Sequence, residues 1–176
     1  AEAIQTSLLA ALIGFIILIA FMIAYYRIPG VAASIALILY VAANMLAING
    51  MNVTLTLPGI AGVILSIGMA VDANVIIFTR IREELATGKT VKSSIKIGFE
   101  KARSAILDGN ITTLIASAVL WFLGSGTVKG FAQTLAIGIV ISMFTALVIT
   151  KVILMAFYNL GCNDVKYYGV QNKTSK

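Results

Sequence analysis

One acid stands where an acid is costly. In the run Gly68-Met69-Ala70-Val71-Asp72-Ala73-Asn74, Asp72 is the only carboxylate well inside an apolar stretch. A charged Asp at the centre of a membrane span costs about 2.5–3.5 kcal/mol on insertion scales, so an acid kept there reads as functional by default. Apolar surroundings penalise the charged form of a carboxyl. A carboxyl that gains and loses a proton in such a place is a proton-relay element. The plainer reading is a structural hydrogen bond to a neighbouring helix. Few other groups compete for the role. The chain has no His, which excludes Ser-His-Asp triads, His-ligated metals and the usual pH switch. A lone Cys162 forbids an internal disulfide and any Cys-cluster metal site. No nucleophile–base pair is visible, so the sequence predicts neither an enzyme nor a bound cofactor.

The elements that must hold Asp72 follow from composition. Of 176 residues, 60% are hydrophobic and 11% charged. A soluble domain is nearer about 45–50% apolar and about 25% charged. Disorder is excluded as well, because it needs low hydrophobicity. The expected fold is an all-α membrane protein with five spanning helices, at about 4–26, 31–48, 57–78, 105–123 and 131–158, each near the roughly 20 residues a bilayer core requires. The fourth reaches that length only if Asp108 and Asn110 dip into the membrane. Residues 1–160 form the bundle, 79–104 a long loop, and 161–176 a polar tail. Pro29 and Pro58 suit the first turns of the second and third helices, and Gly124-Ser125-Gly126 ends the fourth.

Counted from Pro58, Asp72 lies about 21 Å along its helix. Small residues Gly59, Gly62, Ser66, Ala70 and Ala73 stripe the same helix, and Thr134, Gly138, Ser142 and Ala146 stripe the fifth. In lipid such stripes let helices approach closely, and this packing is expected to keep Asp72 off the lipid. On the fourth span Asn110, Thr113 and Ser117 share a face, with Asp108 and Thr112 nearby. They would hydrogen-bond Asp72 or hold a water beside it, or else Asp108 and Asn110 would cap the start of the span.

Basic residues set an expected topology. Arg27, Arg80, Arg82, Lys89, Lys92, Lys96, Lys101, Arg103, Lys151, Lys166, Lys173 and Lys176 fall on one side and only Lys129 on the other. The positive-inside rule puts the long loop and the C-terminus in the cytoplasm and the N-terminus outside. Topology and anionic lipid explain the net charge of +6 better than nucleic acid does, because no fold motif or aromatic pattern supports nucleic-acid binding. Within the loop, Val91, Ile95, Phe99, Ala102 and Ile106 recur at spacings of three and four, with Thr90 as N-cap. This stripe is either a helix lying on the inner leaflet or the wet start of the fourth span.

Two tempting signals fail. Gly88-Lys89-Thr90 resembles the end of a P-loop, but Glu83 stands where a glycine is needed. Asn52-Val53-Thr54 fits a glycosylation sequon of little specificity. Ala1-Glu2-Ala3 lacks the basic start of a signal peptide and precedes an apolar run too long for one, so the chain is expected to be a piece of a longer protein.

The run from Gly68 to Val75, continuing through Arg80-Ile81-Arg82-Glu83-Glu84-Leu85, closely resembles the signature of the SecD family, accessory membrane subunits of the Sec protein-export machinery. Ile106-Leu107-Asp108-Gly109-Asn110-Ile111-Thr112-Thr113-Leu114 agrees with that signature. So do Gly124-Ser125-Gly126-Thr127-Val128-Lys129-Gly130-Phe131-Ala132 and Leu57-Pro58-Gly59-Ile60-Ala61-Gly62. The likeness runs over roughly residues 4–158. It implies a resistance-nodulation-division (RND) bundle, in which SecD and its pseudo-symmetric partner SecF each contribute six helices. The implied activity is late pulling of preproteins, driven by a proton or sodium gradient, in a bacterial or archaeal cytoplasmic membrane. The implied partners are SecF, the Sec channel subunits SecY, SecE and SecG, and the preprotein. Asp72 matches the candidate ion carrier, with Asn110 and Thr113 beside it. Gly68, Asn74, Arg80, Arg82, Asp108, Gly124 and Gly126 carry the motif. The family has an acid at Thr79, a proline at Thr127 and an alanine at Gly109, and a membrane helix and large extracytoplasmic domain before this region. The competing readings are another RND-type exporter of lipid or small molecules, and a membrane assembly subunit with no ion flux.

Overall fold

A computed structural model of the chain describes residues 2–53 and 56–169. Thr54 of the sequon and Lys173 and Lys176 of the basic set lie outside these residues. The described residues form α1 (Glu2–Tyr26), α2 (Ile28–Gly50), α3 (Leu57–Ala86), α4 (Val91–Leu123), α5 (Thr127–Phe144), a π turn (Thr145–Ile149) and α6 (Thr150–Asn159), and then a 3-10 turn (Val165–Tyr168). No strand occurs among them. Five helices are long and apolar enough to cross a membrane, the fifth being the continuous stretch Thr127–Asn159. They alternate in direction. Arg27, the α3–α4 turn and the end of α6 therefore gather at one end, the basic end, and the 51–56 and 124–126 connections at the other.

The ends of the helices follow local chemistry. Thr56 caps α3 by accepting the Gly59 N–H at 3.2 Å, and Thr90 caps α4 by accepting that of Ser93 at 3.4 Å. Pro29 and Pro58 sit in first turns, where no backbone N–H is missed. Gly126, at φ 52, takes the left-handed turn into α5 that a side chain would strain.

The segment 79–104 is not a loop. Residues 79–86 continue α3 and 91–104 open α4, with only a short turn between them. Val91, Ile95, Phe99, Ala102 and Ile106 are all buried in one cluster with Ile77, Phe78, Ile81 and Leu85 of α3. The amphipathic stripe thus finds a protein partner instead of the leaflet surface, and it is the start of the fourth span. Gly98 makes this fit possible, since a Cβ there would stand 2.9 Å from the Ile81 backbone nitrogen. At 30 and 33 residues, α3 and α4 run about 45–50 Å and outreach a hydrocarbon core of about 30 Å.

Glu84 closes the α3–α4 hairpin. It is buried, and its carboxylate takes Lys101 at 2.6 Å on one oxygen and Lys89 on the other. The Lys101 ammonium, and then that of Lys89, hold the Glu84 carboxyl below its ordinary range. A depressed folded value stabilises the hairpin above the unfolded carboxylate value, and that contribution is lost as pH falls through the folded one. Glu84→Gln is therefore expected to lower the thermal midpoint at neutral pH and to flatten its decline on acidification, read by thermal melts of the purified protein at stepped pH.

The small stripes meet where α3 crosses α5. A Cβ on Gly62 would lie 2.4 Å from Thr134 Oγ1, and one on Gly138 would lie 2.4 Å from Ser66. Thr134 donates to the Gly59 carbonyl at 3.0 Å. Tyr40 of α2 donates to Ser66 Oγ at 2.7 Å and accepts from Asn44 at 3.2 Å, tying a third helix to the crossing. The tail also belongs in part to the bundle. Tyr168 is fully buried, and Arg82 donates to the Gly169 carbonyl at 2.7 Å while its guanidinium lies over the rings of Tyr25 and Tyr26.

Candidate functional site

On α3 the small stripe and Asp72 occupy different faces. Ala70 and Ala73 are buried, whereas Asp72 is exposed. The expectation that close packing shields Asp72 is corrected here: the stripe is spent on α5, and an aspartate one residue before Ala73 is turned about 100° away. It points into the groove between α3 and α4. There it lines a cavity of about 170 Å³ with Met69, Ala73, Ile76, Ala105, Ile106, Gly109 and Asn110.

Asp72 and Asn110 are thus brought to one cavity from two spans. Asn110 is buried; its amide donates to the Ile106 carbonyl at 2.7 Å, and its Oδ1 has no partner. No described residue donates a hydrogen bond to the Asp72 carboxylate. The space that Asp72 and Asn110 line is large enough for water. A carboxylate beside such a space can be hydrated there or take up a proton or small cation.

The other predicted residues are placed differently. Thr113 donates to the Gly109 carbonyl at 3.0 Å, along its own helix. Asp108 is exposed and accepts from Ser104 at 3.4 Å. Because α4 runs unbroken through both positions, neither Asp108 nor Asn110 caps a helix. Gly68 has open space around it. Arg80 is exposed and pairs with Glu83 at 2.7 Å, while Arg82 holds the tail. Gly124 ends α4, and a Cβ there would strike the Leu120 carbonyl. Gly126 turns the chain into α5.

Asn74, two residues after Asp72, has a partner that spacing does not reveal. Its Oδ1 accepts from Thr150 Oγ1 at 2.9 Å, and its amide donates to the Ala70 carbonyl at 3.2 Å. Thr150 follows the π turn and also reaches the Thr145 carbonyl at 3.3 Å. Single π turns inside helices concentrate at functional sites. The one sequence signal for this link is a buried amide in an apolar span. Thr150→Val removes the donor and leaves Asn74 Oδ1 bare. Interhelical hydrogen bonds of this kind are worth about 0.6–2 kcal/mol in membranes, and a fall of that size is expected in unfolding by graded denaturant in mixed micelles.

Five membrane-length helices carry an acid beside a small cavity, and the comparisons with known proteins give this bundle a family. Residues 1–160 match the family described as protein export membrane protein SecD/SecF, C-terminal, and the chain belongs to that family. It is 52% identical to the protein translocase subunit SecD of Acidaminococcus fermentans over 165 residues, covering 94% of this chain and 39% of that protein. With SecD of Synechocystis the identity is 54% over 154 residues, covering 88% and 33%. A crystal structure of SecDF from Thermus thermophilus, described as a translocon-associated membrane protein, matches at a TM-score of 0.87 and 42% identity, covering 90% of this chain and 22% of that one. The chain thus spans about two-fifths or less of these relatives, and corresponds to the C-terminal membrane region of SecD. These curated relatives are named as protein translocase subunits.

Proposed function

We propose that this chain is the membrane half-motor of a SecD-type translocase subunit, and that Asp72 is its ion-carrying group, with Asn110 as the second oxygen beside it. The observation that supports this reading is the shared cavity, lined by the Asp72 carboxylate and the buried Asn110 side chain from two membrane-length helices. Left against lipid, the charged form of Asp72 is expensive. A second set of spans over the α3–α4 groove removes that cost and completes the site, and SecF is the partner this requires. Thr113 contributes by rigidifying α4 behind Asn110, and the Gly68, Asn74, Arg80, Arg82, Asp108, Gly124 and Gly126 positions support the frame.

The basic end, with the α3–α4 hairpin and the tail, lies in the cytoplasm and the N-terminus outside, in a bacterial or archaeal cytoplasmic membrane. Ion movement through the site is coupled to late steps of preprotein export, in company with SecY, SecE and SecG. The test is ion uptake and export by the complete complex in sealed vesicles, with a proton or a sodium gradient imposed in turn. One gradient is expected to accelerate export. If neither gradient does so while the protein remains bound to the channel, the assembly-subunit reading replaces this one. If no channel subunit copurifies and a small molecule moves instead, the exporter reading does.

A further inference from the structure

Between the first turns of α4 and the start of α6, at the basic end, an open cavity of about 450 Å³ is lined by Thr90, Lys92, Ser93, Lys96, Lys151 and Met155. Three of these six are lysines, drawn from two different spans. The neighbouring cations are already satisfied: Arg80 by Glu83, Lys89 and Lys101 by Glu84, Arg82 by the Gly169 carbonyl, and Arg27 by the Lys166 carbonyl at 3.3 Å. Among the described residues no carboxylate is within ion-pair distance of Lys92, Lys96 or Lys151. Lys151 has only the face of Phe99, 5.9 Å from the ring centre. Three like charges around one cavity repel each other until an anion joins them.

The level of the cavity says which anion. The fifth span carries no charge through 131–150, a stretch about as long as the hydrocarbon core is thick, and Lys151 is the first charge beyond that stretch, which sets the cavity at the level of the headgroup layer. Toward the core, the turns of that span just before Lys151 present Val148 and Phe144, both exposed. Ser93 and Thr90 add hydroxyl donors; Thr90 Oγ1 already accepts the Ser93 N–H, which leaves its own proton to donate. Cations and hydroxyls above an apolar runway fit an amphiphile. A small soluble anion would make no use of the runway.

We propose that this cavity holds the phosphate of an anionic phospholipid, clasped by Lys92, Lys96 and Lys151, with the acyl chains lying along Val148 and Phe144. The lipid would pin α4 to α6 at the membrane surface, away from the Asp72 cavity. This site is independent of the ion-carrier reading.

The test is lipid binding by the full-length protein in its complex, followed by native mass spectrometry with phosphatidylglycerol, phosphatidylethanolamine and inorganic phosphate as probes. Phosphatidylglycerol is expected to bind at least about tenfold more tightly than phosphatidylethanolamine. The triple variant Lys92→Gln, Lys96→Gln, Lys151→Gln is expected to lose about a hundredfold, at about fivefold per lysine. A matched triple at Arg103, Lys129 and Lys166 should lose little. Replacing the three cavity lysines by Arg keeps the charge and should keep the binding, which separates loss of the site from loss of the fold. Equal losses in the two Gln triples, loss of binding in the Arg triple, or displacement of the lipid by millimolar inorganic phosphate would overturn the proposal.

Discussion

Asp72→Asn in the full-length protein is expected to abolish the gradient-dependent part of preprotein export while leaving the fold intact. The size of the effect follows from the charge moved. One proton falling through 100 mV yields about 2.3 kcal/mol, a bias of about fiftyfold on a two-state rearrangement. That bias disappears when the carboxyl can no longer take up and release the ion. The fold should survive because Asp72 is exposed and accepts no hydrogen bond from any described residue. Asn at this place removes a carboxylate that α3, α4 and α5 do not use, so the thermal midpoint should stay within the range of an ordinary surface substitution, about 0.5 kcal/mol. The two readouts separate two roles. Export that responds to the gradient as before would remove Asp72 from ion transport. A large fall in stability, with export falling in proportion, would make Asp72 packing glue in the assembled complex. Asn110→Leu is a milder companion: it takes away the second oxygen of the cavity and fills part of the space where water or an ion would sit.

Much of this arrangement was legible in the sequence because a bilayer imposes few rules. Spans had to be long and apolar, proline had to sit in first turns, and small residues at intervals of three and four had to be contact faces. The first holds for all five spans, the second at Pro29 and Pro58, and the third at Gly62 and Gly138. What the sequence hid was the direction of each face. Composition marks residues 79–104 as polar and charged, and such a segment reads as a loop until its apolar stripe finds a partner. Ile81 and Leu85 supply that partner from the end of α3, and Glu84 neutralises two of the lysines that made the segment look solvated. The exposure of Asp72 was hidden for a related reason. Periodicity told that α3 has a packing face, but one residue's shift decides whether an acid is beside that face or on it. The Asn74–Thr150 link spans 76 residues, and no local pattern announces it. The cost of an acid in a span and the polar face of the fourth span brought Asp72 and Asn110 to notice together; only the helix pairing showed that they share a cavity while Thr113 is engaged along its own helix.

The second large effect is expected at the α3–α5 crossing. Gly138→Leu should destabilise the bundle by about 2–5 kcal/mol and drop the yield of folded protein in the membrane. A Cβ at 138 would already stand 2.4 Å from both the Cβ and the Oγ of Ser66, and 3.0 Å from the Tyr40 hydroxyl. None of these neighbours can retreat cheaply. Ser66 is fully buried, donates to the Val63 carbonyl at 2.8 Å and accepts from Tyr40 at 2.7 Å. Tyr40 is fully buried too and is held by Asn44. The leucine therefore forces the two helices apart, which costs about 1–3 kcal/mol for overpacking, and the separation also breaks interhelical hydrogen bonds worth about 0.6–2 kcal/mol together. Gly109→Leu is the control, because nothing lies within 4 Å of a Cβ at that position. It adds the same side chain to a helix of the same bundle and should leave unfolding in graded denaturant nearly unchanged. Equal losses at 138 and 109 would show that leucine is harmful wherever it is placed, and the close approach of α3 and α5 would then not be what the glycine secures. Loss at 138 alone, relieved by pairing it with Ser66→Gly, would locate the cost at the crossing itself. The same crossing holds α3 in the rotation that turns Asp72 toward α4, so the double variant should regain gradient-dependent export along with stability.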